Sequence, residues 1–319
     1  MTTLTISSVS PPAVIGCDVG KAAIVVFDSR TGKTRTLRND PDVLAAFAAE
    51  LDPDCLVICE ATGGYEAALL NALLQAGRHA HRADARKVKA FIRSFGILGK
   101  TDAIDARALA TYGRERHAQL VRWKLRDGAR DRLQTLVLTR QDLVIQRVAW
   151  NNRFKAPAAD PVKDYLRNIL DCLKTQIDAI EADIASLIQN QQSLAQAAKA
   201  LTGIKGIGNT TAAALLALMP ELGTLNRKTA AALAGVAPHP NQSGASDAYR
   251  RTKGGRPEIK RALFMAALVA ARQNTNLKAC YQRLIENGKK PLVALTAIMR
   301  KIIVIANAIL KPIYSNQVS

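Results

Sequence analysis

The sequence predicts an α/β domain followed by a helical segment and then a basic, mainly helical domain. Three observations lead there. Apolar strand-like runs alternate with amphipathic helical stretches over residues 1–122. A seven-residue apolar repeat occupies the middle of the chain. The last part is rich in Ala, Leu and Ile, broken only by short glycine-containing loops. The domains expected are therefore 1–122, 123–198 and 199–319.

Residues 13–17 form an apolar run that ends at Asp18, and 22–27 form a second. Ser29-Arg30-Thr31-Gly32 then turns the chain into a third strand at 33–37. Pro41 opens a helix over 42–50. The stretch "CLVICEATGGYE" is a buried strand at 55–59, ending at Glu60 and broken by Gly63-Gly64. "YEAALLNALLQAG" is an amphipathic helix closed by Gly77. A short strand at 78–83, helical residues from Ala85 and a helix at 103–112 complete the first domain.

Helix continues over 131–150, and "FKAPAADP" breaks it. From Leu166 to Leu194 the repeat steps alternately by four and three residues, with Gln191 as the one polar member. A run of that kind predicts an antiparallel helical hairpin or an intermolecular coiled coil, whose natural use is a homo-oligomer. The remaining chain reads as helices joined by short loops, ending in the apolar "PLVALTAIMRKIIVIANAILKPI".

Charge narrows the partner. Among 319 residues, 45 Lys and Arg stand against 26 Asp and Glu, a formal net charge of +19. Residues 240–319 alone hold 14 basic and three acidic side chains, an excess of 11. Such a surplus points to a polyanion, and double-stranded DNA is the first candidate. The five cysteines and four histidines are scattered, so neither a zinc site nor a disulfide framework is expected, and the cysteines read as buried free thiols. No run of 18 apolar residues and no signal-peptide pattern is apparent, so a cytoplasmic protein without a membrane segment is expected.

Against that surplus, Asp102 and Asp105 stand three residues apart on one predicted helix face, where like charges repel. Asp18 and Glu60 each end a predicted strand. Acids from two strand ends and one helix face can converge on one sheet edge, and four converging carboxylates call for cations. All-oxygen donors select Mg²⁺ or Mn²⁺, and two such ions can activate an attacking oxygen and stabilise a leaving one during phosphodiester cleavage.

"IGCDVGK", "VICEATGGYE" and "KTDAIDARALA" resemble the three acidic motifs of the DEDD transposases, the IS110 insertion-sequence recombinases, and of the related Piv-type DNA invertases. The resemblance implies an amino-terminal domain like the RuvC resolvase, of RNase H-like fold. It assigns the metal-binding tetrad to Asp18, Glu60, Asp102 and Asp105.

"GIKGIGNTTAAAL" reads independently as a helix-hairpin-helix turn, in which Lys205, Gly206 and Gly208 would approach a DNA phosphate at a helix amino terminus. A tight turn without a ligand is the alternative. In "PHPNQSGASDAYRRTKGGRPEIKRAL", Ser243 precedes a glycine and is followed by Arg250, Arg251, Lys253, Arg256 and Lys260. A serine there is ordinarily loop filler, but the resemblance makes it the nucleophile, with Ser246 as its competitor. The mechanism implied is metal-dependent strand cleavage through a covalent phosphoserine, followed by strand exchange. Ser243 would then have to reach the tetrad, in cis or from another subunit.

The family also implies a noncoding bridge RNA that pairs with donor and target DNA. Arg82, Arg86, Lys87, Lys89 and Arg93 form a basic face that could hold an RNA backbone or merely be solvated. Two rivals remain. A Holliday-junction resolvase would use the same acids with water as nucleophile, and a non-enzymatic DNA-binding coiled-coil protein would need no acids.

Overall fold

The computed structural model describes residues 13–96, 101–124, 127–239 and 251–315, together with the backbone of 242–243 and 246–247. The chain divides into two compact units, Met1–Leu125 and Arg126–Ser319.

The first unit runs β1 (Val14–Val19), β2 (Ala23–Asp28), β3 (Thr34–Arg38), α1 (Pro41–Glu50), β4 (Leu56–Glu60), α2 (Ala67–Gln75), β5 (His79–Ala83), α3 (Ala85–Ser94) and α4 (Asp102–Arg116). Its sheet has the order β3-β2-β1-β4-β5. β1, β2 and β3 are antiparallel neighbours, while β1, β4 and β5 run parallel. This mixed five-stranded sheet fits the RNase H-like domain that the acidic motifs imply.

Side chains alternate across the pleat, so each strand feeds two cores. Ile15, Cys17, Val57 and Cys59 join Leu44 and Phe47 of α1 and Leu69 and Leu73 of α2. Val14, Leu56 and Ile58 face the other way, against Val88 and Phe91 of α3 and Leu109 of α4. Both faces are covered, which is why these strands read as continuous apolar runs.

The second unit contains α5 (Gly128–Phe154), α6 (Lys163–Gln189), α7 (Gln192–Thr202), α8 (Asn209–Leu218), α9 (Arg227–Leu233), the two-residue strands β6 (Gln242–Ser243) and β7 (Ser246–Asp247), α10 (Pro257–Gln273), α11 (Thr275–Glu286) and α12 (Pro291–Ser315). α5 and α6 pack against each other, with Arg140 paired to Glu181 at 2.5 Å between them. Leu166, Leu173, Ile177 and Ile184 are the buried members of the repeat within α6, and Leu194 beyond it is buried as well.

The repeat does not continue as one helix. α6 stops at Gln189 and α7 starts at Gln192, so Gln191 and Leu194 belong to the next turn of chain. Leu133, Val137 and Ile184 share one core with Leu201, Leu215, Leu263 and Ile302. The repeat therefore packs α6 against α5 within the chain, and only its later members, Ile180, Ile184, Leu187 and Leu194, join the core of the helical bundle.

α12 is the one helix among the described residues that passes a length-and-hydropathy test for a membrane span. It is 25 residues long with an 18-residue window of mean hydropathy 1.9, long and apolar enough to cross a membrane, and 44% of that window is buried. Ile298, Ile302, Ala306 and Leu310 line one face in the bundle core, against α10 among others. Of the cysteines, Cys17, Cys55 and Cys59 are buried, whereas Cys172 is exposed on α6, against the expectation that all are buried.

Candidate active site

The parallel register of β1 and β4 pairs Val14 with Leu56 and Cys17 with Cys59. Asp18 and Glu60 are the next residues on these neighbouring strands, so both stand at the carboxyl-terminal edge of the sheet. Asp18 shares its face with Gly16 and Val14, and Glu60 with Ile58 and Leu56, because side chains alternate. That face is the one covered by α4.

Glycine sets how closely α4 lies. A Cβ on Gly16 would stand 1.9 Å from the carbonyl oxygen of Ala106 and 2.6 Å from the amide nitrogen of Ala110. At the other end of the contact, a Cβ on Gly113 would meet Ile58 Cγ1 at 2.5 Å and Val14 Cγ1 at 2.6 Å. Helix backbone thus rests directly on strand backbone. α4 runs opposite to β1, with Gly113 over Val14 and Ala106 over Gly16.

From Ala106 back to Asp102 is about 6 Å of helix, and from Gly16 on to Asp18 is about 6.6 Å of strand. The first turn of α4, with Asp102 and Asp105, therefore arrives at the edge where Asp18 and Glu60 emerge. Thr101 caps that turn, its Oγ1 accepting from the amide of Ile104 at 3.2 Å. Unpaired amides at a helix amino terminus favour nearby carboxylates, which offsets the repulsion within the pair.

The backbone brings the four acids to one edge, and their all-oxygen chemistry suits a hard divalent cation. Among the described residues, no group of three or more Asp, Glu, His or Cys side chains is gathered tightly enough to hold a metal ion.

In the second unit, β6 and β7 pair so that Ser243 lies opposite Ser246 and Gln242 opposite Asp247. Arg250 lies outside the described residues. The base of this loop is held by a Pro238–Thr252 bridge, by His239 N–H donating to the Arg251 carbonyl at 3.1 Å, and by Lys260 Nζ donating to Thr252 Oγ1 at 3.1 Å. Gly235 and Gly255, both with positive φ, cross so closely that a Cβ on Gly255 would stand 2.2 Å from the Gly235 nitrogen.

Comparison with known proteins now decides the family. Residues 15–157 match the DEDD transposase family of IS110, and residues 198–282 match the Transposase IS116/IS110/IS902 family. The chain belongs to the IS110 family of transposases. It is 29% identical over 259 residues to the pilin gene-inverting proteins of Moraxella lacunata and Moraxella bovis, a match that spans 80% of each chain. It is also 29% identical over 209 residues to an IS110 43.6 kDa protein of Streptomyces coelicolor, covering 64% of this chain and 48% of that one.

Two basic side chains considered for nucleic-acid contact, Arg256 and Arg82, are engaged within their own units. Arg256 is spent internally: its guanidinium pairs with both carboxylate oxygens of Glu221, at 2.6 and 2.9 Å, and donates to the Leu218 carbonyl at 2.6 Å. Arg82 is likewise committed, its Nε donating to buried Glu66 at 2.6 Å with the guanidinium over the Trp123 ring. Both basic side chains answer a carboxylate of their own unit. Arg251 and Lys253 are exposed, as are Arg86, Lys87, Lys89 and Arg93 on or beside α3.

The turn between α7 and α8 also has a packing reason. Gly206 has φ +111°, and a Cβ there would meet the Ala266 carbonyl oxygen and Ala270 Cβ at 2.7 Å. Its glycine lets the turn approach α10. Lys205 and Gly208 remain exposed, and Gly208 leads into α8 with open space around it.

Sequence reasoning missed two residues near the acids. Glu66, 2% exposed, accepts from the Thr62 amide (3.1 Å), the Thr62 hydroxyl (3.1 Å) and the Gly64 amide (2.9 Å). Burial acts to raise its pKa, but these donors and Arg82 outweigh it and hold the carboxyl below its ordinary value. Asn39 donates through Nδ2 to the carbonyls of Gly20 (3.0 Å) and Tyr65 (3.1 Å). The signal for Glu66 was an acid just after a Gly-Gly turn, where a solvated residue is the ordinary expectation. Asn39 offered none beyond its place before a helix cap.

Proposed function

We propose that this transposase cuts and rejoins DNA at the carboxylate edge of its first unit, with Ser243 as nucleophile and a noncoding bridge RNA as guide. The observation that carries the reading is the backbone convergence of Asp18, Glu60, Asp102 and Asp105, set by the β1–β4 register and the Gly16 contact. Family membership and resemblance to DNA-inverting proteins support strand exchange as the outcome.

Asp18, Glu60, Asp102 and Asp105 would hold Mg²⁺ or Mn²⁺, which supplies positive charge against the phosphate and lowers the pKa of a nearby hydroxyl. The acids repel one another and a DNA phosphate alike, so binding of DNA and cation is mutually dependent. Ser243 Oγ forms a bond to phosphorus while the phosphorus–O3′ bond breaks. The serine proton passes to a carboxylate of the set, and the departing 3′ oxygen takes up a proton. The products are a phosphoserine and a free 3′-hydroxyl, which attacks the corresponding linkage of the partner strand and frees the serine. Exposed Arg251 and Lys253 follow Ser243 in sequence and supply phosphate contacts.

The test incubates purified protein with the noncoding RNA of its element, donor and target DNA and Mg²⁺, and looks for a protein–DNA adduct that survives denaturation. Wild type forms it, Asp18→Asn and Ser243→Ala do not, and Ser246→Ala does. An equal adduct from Ser243→Ala would falsify the serine assignment. Cleavage without an adduct, retained in Ser243→Ala, would establish the water-dependent resolvase reading instead.

A further inference from the structure

We propose that Asn39 is a positioning residue that sets the separation of Asp18 and Glu60, through a hydrogen-bonded strap completed by Glu66. The inference rests on reading those acids as cation ligands.

The pairing of β1 with β4 ends at Cys17–Cys59, one residue short of both acids. Asp18 is still held on its other side by Val25 of β2, and Glu60 by Ala83 of β5. Their mutual spacing is thus the first thing the β1–β4 ladder leaves unfixed. Asn39 leaves the end of β3 at this same edge, its own amide donating to the Ala22 carbonyl at 2.9 Å. Its side chain then reaches one carbonyl beyond each acid: Gly20, two residues past Asp18, and Tyr65, five past Glu60.

The longer of these two arms is stiffened. Glu66 gathers the Thr62 and Gly64 amides and the Thr62 hydroxyl, and Arg82 anchors it to β5 beside Ala83. Gly63 and Gly64 take positive φ of 75° and 109° to allow that turn. From Asp18 through Gly20, Asn39, Tyr65 and the Glu66-bound turn to Glu60, the strap is continuous.

A purely structural role fits poorly. Asn39 does not cap α1, since Asp40 does so with its own carboxylate. Both partners of Asn39 are carbonyls, so the side-chain nitrogen must point at them and the orientation of the amide is fixed by chemistry. Among the described residues, the oxygen Oδ1 is then left buried without a hydrogen-bond partner. Both donations span the two loops that carry the acids.

The experiment measures Mn²⁺ binding to the full chain by calorimetry, alongside thermal unfolding in a chelator. Asp18→Asn identifies the signal from the acidic edge. Asn39→Asp keeps the shape but cannot donate, and Asn39→Ala removes the group without adding charge. Freeing the spacing of the two acids predicts Mn²⁺ affinity weakened roughly tenfold in both variants, with chelator-state unfolding shifted by only a few degrees. The Asp variant is the sharper arm, because an added carboxylate acting by charge alone would tighten cation binding. Unchanged or tighter Mn²⁺ binding in the variants, with wild type binding normally, overturns the strap. Loss of cooperative unfolding in both variants also overturns it, by showing that Asn39 holds the unit together rather than spacing the acids. A wild type that binds no Mn²⁺ sinks the cation reading itself and the strap with it.

Discussion

Replacing Gly16 by alanine adds one methyl group where there is no room for it. The new Cβ would start 1.9 Å from the Ala106 oxygen, whereas ordinary contact begins at about 3.4 Å, so α4 must recede by about 1.5 Å. The obstacle is helix backbone, which no rotamer change can move. Overpacking a core costs typically 1–3 kcal/mol, and this site belongs at or above the top of that range. For a domain of this size a loss of about 3 kcal/mol lowers the midpoint of unfolding by roughly 10 °C or more. Function falls further, because Asp102 and Asp105 ride on the first turn of the displaced helix. A misplacement of about 1 Å can cost a hundredfold in rate, so cleavage well below the melting point should drop at least that much. Gly113→Ala is the control: its obstacles are the side chains of Ile58 and Val14, and it lies about 16 Å along α4 from Asp102. It should lower stability while retaining more activity. The assay is strand cleavage on supercoiled DNA, with unfolding followed by circular dichroism. If Gly16→Ala cleaves and melts like wild type, the backbone-contact argument is wrong.

Arg256→Ala should destabilise the second unit by about 1–2 kcal/mol in chemical denaturation, since it removes the half-exposed pair with Glu221 and the bond to the Leu218 carbonyl. Arg251→Ala and Lys253→Ala should leave stability within about 0.5 kcal/mol and each reduce the salt dependence of DNA binding by about one phosphate contact. Asn307→Ala should cost about 2–3 kcal/mol, because the side chain accepts from Gly223 N–H at 2.8 Å and donates to the Leu225 carbonyl at 2.7 Å in the bundle interior. Glu66 has a lowered folded pKa, so its stabilisation is present above the ordinary glutamate pKa and disappears as pH falls through the folded value. Glu66→Gln should therefore flatten the acid side of the stability profile, measured by melting between about pH 3 and pH 7. Maleimide at neutral pH should label exposed Cys172 in the native chain and spare Cys59, whose thiol burial pushes up to about 12.

The alternation of strands and helices, and the acids at strand ends, were legible because burial on both sheet faces leaves continuous apolar runs. The helical segment was less so. A heptad period cannot say whether the partner helix lies in the same chain, and it ran through the break at Asn190 without a signal such as Pro or Gly. Arg256 and Arg82 read as free cations because the acids that claim them, Glu221 and Glu66, are 35 and 16 residues away in sequence. Charge counts report a surplus, not who is paired. Gly16 carried information that only the packed helix could reveal, since in sequence it looks like any glycine within a strand.

The two glycines of the α4 contact explain why the acidic pair can be placed on a helix at all. A helix packed on a sheet through ordinary side chains stands about 10 Å away, too far for short aspartates in its first turn to share a ligand with strand residues. Gly16 and Gly113 remove the intervening side chains, and Ala106 and Ala110 on the facing helix keep the gap small. The strand acids are then one long and one short, Glu60 and Asp18, while the helix acids are both short, as a close approach demands. Repulsion within the Asp102–Asp105 pair is offset locally by the helix amino terminus and Thr101. If the proposed cation binds at this edge, the glycine contact is what would let short helix acids and strand acids reach it together.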